Sequence, residues 1–129
     1  MTSPGKSSPV VLVVDDESAI VEFISYGLNS WGYETINATS SGEALAKVKA
    51  AGKNPPSLAI IDIAIGSESG LELANVLVGK IKNLRILFIS GYVNDMVMID
   101  TMPNGTQTAF LQKVFTLEQL ESSIKQLAK

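Results

Sequence analysis

Four short, continuously apolar runs and a weaker fifth, separated by segments of helical period, set the strongest limit on how this chain folds. The runs are Val10–Val14, Leu58–Ile61, Ile86–Ile89 and Ala109–Leu111, with the weaker one at Glu34–Ala38. Continuous rather than alternating apolar character marks strands buried on both faces, as in a parallel sheet. The segments between them carry helical stripes. After Asp16, residues Ile20, Phe23, Ile24, Leu28 and Trp31 share one face, and Gly32 stands at the C-cap. Ser40 with Glu43 forms a capping box ahead of Leu45, Val48 and Ala51. Gly70 precedes Leu71, Ala74, Leu77, Val78 and Ile81. Val93 to Thr101 is a shorter, Met-rich helical segment ending at the turn Pro103-Asn104-Gly105. Thr116 with Gln119 caps a last helix bearing Leu117, Leu120, Ile124 and Leu127. The order βαβαβαβαβα predicts an α/β domain built on an open, doubly wound sheet.

Length and composition narrow the chemistry. A chain of 129 residues, 46% hydrophobic and 18% charged, is one domain's worth of sequence with an ordinary polar surface. Residues 10–129 form that domain, and 1–9, rich in Ser, Pro and Gly, read as a disordered leader or linker remnant. Ten basic against 13 acidic residues argue against a nucleic-acid partner, because phosphate binding needs a basic patch. No apolar run approaches the length of a membrane span. There is no Cys and no His, so thiolate and imidazole chemistry are excluded. A cytoplasmic setting is expected, and the acids must carry whatever chemistry exists.

The functional signal lies at the strand ends. Val10–Val14 runs into Asp15-Asp16, Leu58–Ile61 into Asp62, Ile86–Ile89 into Ser90, and the last strand into Lys113. In a parallel sheet these ends share one edge, where open α/β folds bind ligands. Three carboxylates at close quarters repel unless a cation joins them. Oxygen ligands without His or Cys suit Mg²⁺, which with Lys113 would leave the pocket neutral and able to admit a phosphoryl group. Ser90 would donate a hydrogen bond to that group, and the central Asp62 would serve as a carboxylate nucleophile at phosphorus.

These segments resemble response-regulator receiver domains. Val11-Leu12-Val13-Val14-Asp15-Asp16-Glu17 is similar to the family's opening strand and acidic pair. Asp62, followed eight residues later by Gly70 and Leu71, resembles the phosphoacceptor loop. Phe88-Ile89-Ser90-Gly91-Tyr92 is similar to the switch-hydroxyl segment, and Phe110-Leu111-Gln112-Lys113 to the lysine segment, in wording most like the receivers of hybrid histidine kinases. The resemblance implies a flavodoxin-like, five-stranded (βα)5 sheet of order 2-1-3-4-5. It implies Mg²⁺ held by Asp16 and Asp62, with Asp15 helping through water and the backbone carbonyl of Ala64 completing the protein's share. Asp62 would be the phosphoacceptor, Ser90 and Phe110 the switch pair, and the 93–129 face the surface offered to a downstream partner. The phosphoryl donor would be a histidine kinase or phosphotransfer domain, and the chain would be no enzyme beyond its own phosphorylation and dephosphorylation.

Two positions depart from the family pattern. Gly66 stands where Pro is usual, which should loosen the loop after Asp62. Val114 stands where a Pro usually follows the lysine, so a trans Lys113–Val114 bond is expected. Both departures favour a second reading, a degenerate receiver that binds partners without phosphate. A phosphatase of the haloacid dehalogenase kind is a third, opposed by Ala64 where its second Asp belongs. At single residues plainer readings stand too: Asp15-Asp16 as a helix cap, Lys113 as a solvated surface lysine, the methionines as packing.

Overall fold

The computed structural model describes residues 9–128, with side chains through 127. Of the expected leader, only Pro9 falls within them, and its carbonyl already accepts from Glu34 N–H at 2.9 Å. The chain runs β1 (Val10–Val14), α1 (Ser18–Ser30), β2 (Glu34–Ala38), α2 (Ser41–Ala51), β3 (Leu58–Asp62) and β4 (Ala64–Ile65). It continues with β5 (Glu68–Ser69), α3 (Gly70–Lys80), β6 (Arg85–Ser90), a 3-10 helix (Val93–Thr101), β7 (Thr108–Gln112) and α4 (Leu117–Ala128).

Five strands form one parallel sheet in the order β2-β1-β3-β6-β7. Numbering only those five strands, this is the expected 2-1-3-4-5. Every residue of β1 and β3 is buried, as is β6 from Ile86 onward, because helices cover both faces. One core layer gathers Leu12, Ile61, Ala74, Leu77, Ile86 and Phe88 beneath α2 and α3. The other gathers Val13, Ile24, Leu28, Ile60, Leu87 and Leu120 beneath α1 and α4. The edge strands β2 and β7 are only half-buried.

Local signals explain most helix ends. Ser40 Oγ accepts from Glu43 N–H at 3.1 Å, while the Glu43 carboxylate reaches back to Thr39 N–H at 2.7 Å. Thr116 and Gln119 exchange both capping bonds, at 2.9 and 3.1 Å. Gly32, at φ +93°, closes α1 in a Schellman turn, with Gly32 N–H on Asn29 O and Tyr33 N–H on Leu28 O.

Three expectations need correction. Val93–Thr101 is a 3-10 helix with no fully buried side chain, although Ile99 packs, partly buried, against the core. The loop after Asp62 is not loosened by Gly66. It closes as a two-stranded antiparallel pair, β4 with β5, and Gly66 turns it at φ +60°, a conformation closed to Pro. Phe23, placed on the buried face of α1, is 38% exposed, although its ring lies 6.1 Å from that of Phe115. Among the methionines Met102 is buried, whereas Met96 and Met98 are exposed. Among the described residues no helix is long and apolar enough to cross a membrane.

Candidate functional site: an acidic pocket at the carboxyl edge

The parallel register delivers the singled-out residues to one edge. Asp62 pairs with Ile89 at the end of β3, and Ser90 pairs with Gln112 one step further along β6. Backbone bonds then carry the pattern past the strands. Asp15 N–H donates to Ala38 O at 3.2 Å, Ile63 N–H to Ile89 O at 3.0 Å, and Lys113 N–H to Ser90 O at 2.7 Å. Gly70 opens α3 against this edge, where any Cβ would strike the Asp62 carbonyl.

Lys113 is the hub. Its ammonium lies 2.7 Å from Asp62 Oδ2, 2.7 Å from Asp15 Oδ2 and 3.6 Å from Glu17 Oε1. The solvated-lysine reading therefore fails. Burial alone would push the Lys113 pKa down, but the hydrogen bonds and charges of Asp15 and Asp62 outweigh it and hold the ammonium above its ordinary value. The fully buried Asp15 is pushed up, mainly by desolvation and further by the Asp62 charge, against the opposing pull of Lys113 and Glu17 N–H. Asp15 Oδ1 accepts that Glu17 N–H at 2.9 Å, and the side chain of Glu17, the N-cap of α1, makes no cap. The acidic pair is thus not a helix cap.

The expected trans bond at Lys113–Val114 is corrected too: it is cis. The chain is fixed on both sides, by Lys113 in the pocket and by Phe115 buried in the core, while Val114 itself is exposed. Neither departure from the family pattern pulls the lysine away from the carboxylates.

Asp15, Asp16 and Asp62 each offer an oxygen within 4.8 Å of the others. Ligands at the ~2.0–2.1 Å typical of Mg²⁺ stand roughly 3–4 Å apart in an octahedron. Asp16 is the exposed member of the three. Asp15 Oδ2 is buried and already faces one cation, the Lys113 ammonium at 2.7 Å. Such an oxygen is suited to a cation. The donor set, all carboxylate oxygen, fits a hard divalent ion. Asp62 Oδ1 accepts Ala64 N–H at 3.0 Å, which places Ala64 beside the cluster.

Ser90 is buried at this edge, but its hydroxyl is turned elsewhere: it donates to Asp95 Oδ2 at 2.6 Å and accepts Tyr92 N–H at 3.0 Å. Phe110 is half-buried against the core layer under α2 and α3. Tyr92, two residues beyond Ser90, is 75% exposed. Sequence reasoning missed two participants. Glu17 was legible as a third consecutive acid, but nothing in the spacing of Asp95 announces its bond to Ser90.

A sequence profile of the response regulator receiver domain matches residues 11–125. The chain belongs to that family. As a receiver domain of two-component signal transduction, it is 29% identical over 105 residues to the acid tolerance regulatory protein ActR of Sinorhizobium medicae, covering 81% of this chain and 51% of that protein. It is also 29% identical over 120 residues to the sensor kinase CckA of Brucella abortus, covering 93% of this chain and 12% of the kinase. The receiver thus spans about half, or far less, of the curated relatives it matches. Among solved structures, the CheY-like receiver domain protein of Methanospirillum hungatei JF-1 aligns with a TM-score of 0.80 at 27% identity, covering 95% of each chain.

Proposed function

We propose that this receiver domain accepts a phosphoryl group on Asp62 from a phosphohistidine donor, with Mg²⁺ as cofactor. The observation that supports this best is Lys113, whose ammonium joins Asp15 and Asp62 in one buried cluster. Asp15, Asp16 and Asp62, with the Ala64 carbonyl, would hold the ion. Bound there, it would supply positive charge to the phosphoryl oxygens and to the crowded carboxylates.

The Asp62 carboxylate attacks phosphorus as a P–O bond forms and the donor's P–N bond breaks. The departing imidazole nitrogen takes up a proton from solvent. Lys113, held next to Asp62, offsets charge that builds on the phosphoryl oxygens. Ser90 then donates to one of those oxygens, and Phe110 follows it inward. The chain turns over no other substrate: phosphorylation and dephosphorylation of Asp62 are its only reactions. A histidine kinase or phosphotransfer domain supplies the phosphoryl group, and the 93–129 face meets a downstream protein.

Incubation with acetyl phosphate and Mg²⁺, followed by intact mass measurement, tests this. One added phosphoryl group is expected in the wild type and none in Asp62→Asn. A wild type that gains no mass, or a variant that gains as much, would sink the proposal.

A further inference from the structure

A hydroxyl carries one proton and donates to one acceptor at a time. The Ser90 proton is committed to Asp95 Oδ2 at 2.6 Å, a bond strengthened by the charge of the acceptor. The same oxygen also accepts Tyr92 N–H, and Ser90 is only 3% exposed. Asp95 stands on the 3-10 helix, which has no fully buried side chain and rests on the core through the partly buried Ile99. Among the described residues, the Asp95 side chain has no other hydrogen-bond or ionic partner. The bond therefore ties this helix to the end of β6, next to the strand that carries Asp62.

We propose that Asp95 is a positioning residue, a latch that holds the Ser90 hydroxyl away from the phosphoryl site and is released when Asp62 is phosphorylated. The inference rests on the proposed role of Asp62. To donate to a phosphoryl oxygen, Ser90 must leave Asp95. That exchange sets Asp95 free and unties the 3-10 helix, whose exposed Val93, Met96 and Val97 then reposition with Tyr92 just before it. The strength of the latch sets both how readily the phosphorylated state forms and how tightly it is coupled to this apolar surface.

The test uses the full chain with Mg²⁺ and beryllofluoride, a phosphoryl mimic, with bound fluoride followed by fluorine NMR. Asp95→Ala should bind the mimic about tenfold more tightly than wild type, the effect of removing one competing charged acceptor. Asp95→Asn, which keeps an uncharged acceptor, should fall between the two. In a Ser90→Ala background, Asp95→Ala should change nothing, because the latch has no bolt. A purely structural effect of residue 95 would persist in that background.

Binding by Asp95→Ala within about twofold of wild type, weaker binding, or equal tightening without Ser90 would each overturn the latch. A wild type that binds no beryllofluoride would bring down the Asp62 reading and the latch together. Wild-type binding with an indifferent Asp95→Ala would remove the latch alone.

Discussion

The two sides of Ser90 are built differently. On one side β1, β3 and β6 bring Asp15, Asp62 and Ser90 to the sheet edge on strands buried throughout but for Arg85, each fixed by its neighbours' backbone. On the other side the 3-10 helix exposes Val93, Met96, Val97 and Met98 and has no fully buried side chain. The difference teaches how a switch can be divided. Phosphoryl chemistry needs groups held in place, whereas a surface that reports a change must reposition at little cost.

The contrast is easiest to break at the core. Phe88, fully buried in β6, should cost about 3–5 kcal/mol when cut to Ala, whereas Val97→Ala, at 71% exposed, should stay within about 0.5 kcal/mol. Urea unfolding of both variants measures this, and similar losses would erase the distinction. Next in size is the effect of the ion. Mg²⁺ at roughly a hundred times its dissociation constant should stabilise the domain by about 2.7 kcal/mol. Thermal unfolding of Asp15→Asn and Asp62→Asn should show that gain largely lost, while Asp95→Asn should retain it.

Gly70→Ala sharpens the claim that the acceptor side is rigid. Its new Cβ meets the Asp62 carbonyl, so a loss of about 1–3 kcal/mol is expected in denaturant unfolding. A neutral result would mean that the backbone at Asp62 yields.

Much of this was legible in the sequence because buried parallel strands leave a continuous apolar trace, and a polar residue ending each trace needs a reason to be there. Val10–Val14 was located to the residue for that reason, and the half-buried Glu34–Ala38 to the same precision from a weaker trace. Asp15, Asp16, Asp62 and Lys113 could be brought together from strand direction alone. The rest lacked such a trace. β4 and β5, two residues each, are too short to show a period. Val93–Thr101 has helical composition, and composition alone does not distinguish a 3-10 from an α-helix. The Ser90–Asp95 bond joins residues five apart across a turn, where spacing carries no rule. At Lys113–Val114 the expectation followed the local preference of a non-proline bond, while the pocket and Phe115 fix the chain on either side.

The smallest effect expected lies away from both regions. Glu43 is held below the ordinary glutamate range, first by Thr39 N–H and then by Lys47. A depressed carboxylate contributes stability above its unfolded pKa and loses it as pH falls through its folded pKa. The gap in melting temperature between wild type and Glu43→Gln should therefore be present at neutral pH and close on acidification. A gap that widened in acid would contradict the sign.

Borohydride reduction of the phosphorylated chain, followed by peptide mass mapping, tests the account at its root. Reduction converts an aspartyl phosphate to homoserine and so marks the residue that carried it. The mark is expected at Asp62 alone, only when Mg²⁺ is supplied. Homoserine at Asp15 or Asp16, or at Asp62 without the ion, would contradict the site described here.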